Sequence, residues 1–178
     1  MTLVVYGDFN CPYSALASAR VDALLEAGHE IEWRAVQHDA SMPDDGVPMD
    51  GEAGAEVREE IEEVVSLLRE GETFDLQLPQ VRPNSAHASR VYAADPTPEV
   101  RRRWFDWAWA RSGEPGAIAE DADTAARWQR EWDATEKKMV PMLVLPDGYI
   151  SRGLGALKRL ADMIADETKA RASSDTPA

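Results

Sequence analysis

The chain has 178 residues, 44% of them hydrophobic, and a formal net charge of −14. That length suits one domain with one sizeable core, and so large a negative charge opposes nucleic acid or an anionic membrane as partner. A single cysteine excludes an internal disulfide and an internal dithiol cycle, and it suits a reducing compartment. No apolar run approaches the roughly 18–20 residues that cross a bilayer. A strand pattern begins at Thr2 with no basic leader before it, so the expected location is the cytoplasm.

Thr2–Tyr6 is apolar and β-branched and stops at Gly7-Asp8, the pattern of a buried strand feeding a loop. Pro12 suits a first helical turn, where its missing N–H costs nothing, and Leu16, Val21, Leu24 and Leu25 continue at helical spacing to Gly28. Glu30–Val36 alternates Ile31, Trp33 and Ala35 with Glu30, Glu32 and Arg34, the two-residue period of a strand. Asp39–Gly54 is rich in proline, glycine and acids and reads as a loop that covers something or is partly disordered. Helices follow over Glu56–Arg69, Ser85–Asp95, Pro98–Arg111 and Asp121–Glu136, with Gly71–Pro83 irregular between the first two. Val140–Leu145 and Tyr149–Arg152 flank Pro146-Asp147-Gly148 as a hairpin, Ala156–Glu167 is a last amphipathic helix, and the small, polar residues from Thr168 onward read as frayed.

This gives a βαβ half and a ββα half separated by a helical insertion, with Cys11 at the start of the first helix. Backbone N–H groups and the positive end of a helix dipole favour thiolate over thiol, so Cys11 is expected to be acidified. Ser14, one turn on, is placed to donate a hydrogen bond to the sulfur. A hydroxyl resolves no disulfide, so exchange through Cys11 needs an external thiol. A buried, inert Cys11 is the plain alternative. The three histidines and one cysteine show no metal-ligand spacing, so no metal is expected. His29, beside Gly28, reads as a solvated turn residue, and His38 as a residue able to reach the Cys11 cleft. Trp104, Trp107, Trp109, Trp128 and Trp132 read as interhelical packing, and Arg101-Arg102-Arg103 as a solvated helix face. Gly153 and Gly155 lack the third glycine of a phosphate-binding fingerprint.

Asp8-Phe9-Asn10-Cys11-Pro12-Tyr13, Trp33-Arg34-Ala35-Val36, Pro83-Asn84-Ser85-Ala86-His87 and Lys138-Met139-Val140-Pro141 stand in the order and spacing of a known family. Through them the chain resembles the DsbA family of the thioredoxin superfamily, and within it the branch of FrnE-type oxidoreductases, 2-hydroxychromene-2-carboxylate isomerases and kappa-class glutathione transferases. The resemblance implies an α/β, thioredoxin-like fold with an all-helical, DsbA-like insertion. Residues 1–38 and 137–168 would form the core, 39–136 the insertion and 169–178 a flexible tail. It implies catalytic roles for Cys11 and Ser14, substrate contacts from Asn10, Pro12, Tyr13, Asn84, His87, Val140 and Pro141, and a cis peptide bond before Pro141.

Dithiol members carry cysteine at both ends of the tetrapeptide, and the isomerases and transferases typically carry serine first. This chain has Cys11 first and Ser14 last. Three readings therefore stay open: a single-cysteine thiol–disulfide oxidoreductase, a glutathione-type transferase or isomerase, and a non-catalytic binding module. Implied partners are a small thiol or disulfide or a disulfide-bearing protein, with no nucleic acid or membrane, and a homodimer as in some relatives. No cofactor is expected to be tightly bound, glutathione or another low-molecular-weight thiol serving as co-substrate.

Overall fold

A computed structural model describes residues 1–116 and 119–174. The first half is β1 (Leu3–Gly7), α1 (Pro12–Glu26) and β2 (Ile31–Ala35), and the last is β5 (Met142–Val144), β6 (Ile150–Arg152) and α6 (Leu154–Ser174). Between them lie β3 (Val47–Pro48), α2 (Gly51–Ser66), β4 (Val81–Arg82), α3 (Ala86–Ala94), α4 (Pro98–Ala108) and α5 (Ala122–Asp133). One mixed sheet has the order β2-β1-β5-β6, with β1 parallel to β2 and antiparallel to β5. This is a thioredoxin-like fold interrupted by a largely helical insertion.

The sequence patterns fail in three places, each for a local reason. Asp39–Gly54 is anchored, because Val47–Pro48 pairs with Val81–Arg82 in a two-stranded sheet and Met42 and Met49 are buried. The insertion is therefore not all-helical, and Gly71–Pro83 is not wholly irregular. Two-residue strands fall below any readable period.

α2 begins at Gly51, before the expected Glu56. Two glycines concealed that first turn, and Gly54 is required there: a Cβ on it would lie 2.2 Å from the Met49 carbonyl oxygen. α6 continues through Thr168 to Ser174, correcting the expected fraying. No glycine or proline lies between Thr168 and Ser174, and the Thr168 and Ser173 hydroxyls donate back to the Ile164 and Lys169 carbonyls. The remainder of the tail, 175–178, lies outside the described residues.

α1 packs on α6 and also meets α2 and α4, while α3 and α5 pack on one another and on β2. Two buried arginines lock α1 in this setting. Arg20 donates to Glu72 and to the carbonyls of Leu67 and Leu157, tying α1 to the end of α2 and to α6. Arg101 corrects the expected solvated face: it is 2% exposed, lies 5.3 Å from the centre of the Trp33 ring, and donates to Ser18 and Asp22 on α1. Burial pulls the Arg101 pKa down, opposed chiefly by the Asp22 charge. Arg102 and Arg103 are exposed as expected. Trp104, Trp109, Trp128 and Trp132 are buried and Trp107 is partly so, with Trp104 set edge-on to Trp107 and Trp128 against Tyr92.

Removing one partner of a buried ion pair strands the other charge in a poor solvent. Asp22→Ala should therefore cost about 3 kcal/mol or more in urea unfolding. Arg102→Ala, which removes the exposed cation that also approaches Asp22, should cost less than about 1 kcal/mol. Equal losses would contradict the part given to Arg101.

Candidate functional site

β1 runs out at Gly7, and the chain turns through Asp8, Phe9 and Asn10 into Cys11, which caps α1 ahead of Pro12. The cap has extended backbone, and its side chain makes no capping bond. Each carbonyl of this turn has a donor. That of Asp8 accepts from the Cys11 N–H at 3.1 Å, and that of Cys11 from the Ala15 N–H at 3.1 Å. The Phe9 carbonyl accepts from Trp109 Nε1 at 3.1 Å, and the Asn10 carbonyl from Arg82 Nε at 2.9 Å.

The Asp8 carboxylate is wholly buried beneath the turn. Its Oδ1 accepts from the Asn10 N–H at 3.2 Å; its Oδ2 accepts from the His38 N–H at 2.8 Å and meets His38 Nδ1 at 2.6 Å. His38 thus reaches this loop as expected and closes it against β2.

Cys11 is 5% exposed, and Ser14 is fully buried beside it. Ser14 Oγ accepts from the Asp8 N–H at 3.2 Å, which leaves its proton for the sulfur. The Ser14 hydroxyl and N–H both favour thiolate, yet desolvation outweighs them, and the thiol pKa is pushed up to about 11, with the Asp8 charge adding to the rise and Arg82 opposing it. This corrects the expected acidification. A helix end and a neighbouring hydroxyl and N–H lower a thiol pKa, but a site closed to water removes the larger solvation of the charged form.

Tyr13, half-buried, donates its hydroxyl to Glu63 on α2, and its pKa is raised, first by burial and then by that bond. The Val140–Pro141 peptide bond is cis. Tyr6 pairs with Met142 at the end of the β1–β5 ladder, so the two preceding residues, Pro141 and Val140, run alongside Gly7 and Asp8. Both are buried.

The structure brings Asn10, Pro12, Tyr13, Val140 and Pro141 to the Cys11 end of the fold. The polar contacts of Asn84 and His87 are with other residues. Asn84 Oδ1 accepts from Gln37 Nε2 and the Ala86 N–H, and its Nδ2 donates to the Met42 carbonyl. Its amide is spent on pinning the Asp39–Gly54 segment. His87 meets Glu120 at 3.1 Å and lies edge-on to Trp104. Both line a cleft of about 460 Å³ with Asp44, Asp45, Trp107 and Glu114, and Cys11 is not among its walls.

His29 is no free turn residue, since its Nε2 lies 2.9 Å from Glu167 on α6. Sequence reasoning missed Asp8, Arg82, Trp109 and Glu63. Asp8 had a faint signal, a carboxylate directly after a buried strand, whereas Arg82 lay in a stretch with no period at all. Among the described residues, no cluster of three or more His, Cys, Asp or Glu is arranged to hold a metal ion, and no helix is long and apolar enough to cross a membrane.

Residues 2–139 match the model of the DSBA-like thioredoxin domain. The chain belongs to this family. Among solved structures, the DSBA-like chain is similar to a probable DsbA oxidoreductase from Streptomyces coelicolor, with a TM-score of 0.68, 15% identity, and coverage of 100% of this chain and 92% of that one. It is also similar to the cytosolic disulfide reductase DsbM from Pseudomonas aeruginosa, solved with glutathione (TM-score 0.61, 15% identity, 96% and 100% coverage). A third likeness is to a 2-hydroxychromene-2-carboxylate isomerase (0.56, 16%, 99% and 100%). At these identities the likenesses carry the fold. No curated protein matches the chain in sequence.

Folding holds the Cys11 pKa above the roughly 8.5 of a free thiol, so the unfolded DSBA-like chain loses this proton first as pH rises. The resulting stabilisation is complete below about pH 8.5 and is lost as pH climbs toward 11. Chemical unfolding between pH 7 and 11 should show wild type losing stability more steeply than Cys11→Ser. Parallel curves would mean that the folded thiol titrates as a free one.

Proposed function

We propose that this DSBA-like chain is a thiol–disulfide oxidoreductase that works through Cys11 alone, with an external low-molecular-weight thiol as its second reactant. The observation that carries this reading is the placement of Cys11 at the cap of α1, with Ser14 buried one turn on and its hydroxyl and N–H both favouring the thiolate. In the first step the Cys11 thiolate attacks one sulfur of a disulfide R–S–S–R. The S–S bond breaks, Cys11–S–S–R forms, and RS⁻ leaves and takes a proton from solvent.

An external thiolate R′S⁻ then attacks the R sulfur, forming R–S–S–R′ and returning Cys11 as thiolate. The sum is R–S–S–R plus R′SH giving R–S–S–R′ plus RSH, and no second protein cysteine is required. A raised pKa makes the thiolate scarce but intrinsically more nucleophilic, and it makes Cys11 a poor leaving group. The mixed disulfide should be long-lived until an outside thiol opens it. A cytoplasmic setting, where small thiols are abundant, agrees with the single cysteine.

One observation favours a second reading as a glutathione-type transferase or isomerase. A Cys11 thiol held neutral by burial can donate a hydrogen bond to the thiolate of a bound ligand, from the position where the isomerases and transferases that the sequence resembles typically carry serine.

Intact-mass analysis of native protein treated with a small disulfide separates the two. The oxidoreductase reading predicts an adduct on Cys11, released by added thiol and absent in Cys11→Ser. Ser14→Ala should slow adduct formation about threefold per unit rise in pKa, since the tenfold loss of thiolate is partly offset by nucleophilicity. Failure of the native chain to form the adduct under conditions where the unfolded chain does would refute this reading. Retained calorimetric binding of reduced glutathione by Cys11→Ser would then favour the transferase.

A further inference from the structure

Among the described residues, two buried acceptors near the Cys11 turn, one on Glu60 and one on Asn10, have no hydrogen-bond donor. Arg82 gives Nε to the Asn10 carbonyl at 2.9 Å, and one of its terminal nitrogens lies 4.0 Å from Glu60 Oε2. That Glu60 oxygen is buried and, among the described residues, without a hydrogen-bond partner. Asn10, whose carbonyl Arg82 holds, is 1% exposed and donates through its side-chain nitrogen to the Pro83 carbonyl. Its Oδ1 is likewise buried without a partner. The Asn10 amide cannot be turned over to mend this, because its nitrogen is the end that Pro83 requires.

The charges around these acceptors are unequal. Glu60 and Glu63 lie one turn apart on α2, and Tyr13 feels Glu63, Glu60 and the Cys11 sulfur together. At the sulfur itself, the Arg82 charge favours the thiolate and the Asp8 charge opposes it. Two carboxylates, Glu60 through Arg82 and Glu63 through Tyr13, thus reach the Cys11 turn against one guanidinium.

We propose that the Cys11 site selects thiols and disulfides bearing an ammonium group close to sulfur, the aminothiol class, over those bearing carboxylates. This rests on the exchange reaction proposed above and names its substrate class. An ammonium brings three donors and no acceptor, so it can fill an orphaned oxygen of Glu60 or Asn10 while Glu60 and Glu63 balance its charge. The first step is unchanged in its balance: the Cys11 thiolate bonds to one sulfur of the aminothiol disulfide, the S–S bond breaks, and the other half leaves as an aminothiolate that takes up a proton. A dicarboxylate disulfide must instead bring negative charge toward the partly exposed Glu60 and the neighbouring Glu63 carboxylate, which repel it.

The test compares adduct formation on Cys11 by three disulfides: cystamine (dicationic), bis(2-hydroxyethyl) disulfide (neutral) and dithiodiglycolate (dianionic). Each rate is divided by that of the same disulfide with free 2-mercaptoethanol. Cystamine should lead dithiodiglycolate by about tenfold or more, with the neutral compound between, as expected for unit charges a few ångströms apart near a protein surface. The spread should shrink in Glu60→Gln and Glu63→Gln but persist in Glu70→Gln, which removes the same charge beyond the end of α2. It should also shrink in 1 M salt, where the screening length is about 3 Å. Equal normalised rates, or a lead for the dianion, would overturn the charge selection and leave Cys11 exchange standing. No adduct with any of the three would overturn both.

Discussion

A carboxylate without contact to solvent, that of Asp8, is the fixed point around which the Cys11 end of the molecule is built. Buried charge is tolerated where hydrogen bonds replace lost water, and here the donors are the Asn10 N–H, the His38 N–H and the His38 ring. Those donors belong to the turn itself and to the residues just beyond β2, so satisfying one carboxylate joins the ends of two parallel strands. The Asp8 N–H in turn bonds Ser14 Oγ and orients the hydroxyl that faces the thiol. With Trp109 from the end of α4 and Arg82 from β4 holding the next two carbonyls, the insertion and the central sheet meet at this turn.

The same construction explains the state of the thiol. A rigid, water-poor turn places Cys11 well for hydrogen bonding from Ser14, but it also withdraws the solvent that a thiolate needs, and it sets Asp8 near the sulfur. Positioning and acidification are often treated as one property of a cysteine at a helix cap; here they part. The free chain keeps a placed but protonated Cys11, and reactivity becomes a matter of what approaches it and with what charge.

The main sheet and its helices were legible because long elements with regular periods announce themselves. Leu16, Val21 and Leu24 on α1 and the alternation around Trp33 on β2 could be read without coordinates, and so could the position of Cys11 at a cap. The β3–β4 pair was not legible, since Val47–Pro48 and Val81–Arg82 are too short for any period and meet only through tertiary contact. Burial of Arg101 was hidden by its neighbours: three arginines in a row read as a wet face, and only the Trp33 ring with Ser18 and Asp22 from α1 gives one of them a place inside. Asn84 was singled out only through the family resemblance, and its partners Gln37 and Met42 could not be read because they lie in segments that the fold alone brings near. The thiol's raised pKa escaped for a related reason, because local spacing reveals a helix end but not the depth at which it lies.

The most direct test of the account is the rate of Cys11 alkylation in the folded chain as a function of pH, with Ser14→Ala beside wild type. A thiol placed by Ser14 but withheld from solvent should react in proportion to its thiolate, the rate rising about tenfold per pH unit and levelling only near pH 11, with Ser14→Ala levelling later still. A plateau at or below the roughly pH 8.5 of a free thiol, unmoved by Ser14→Ala, would contradict it.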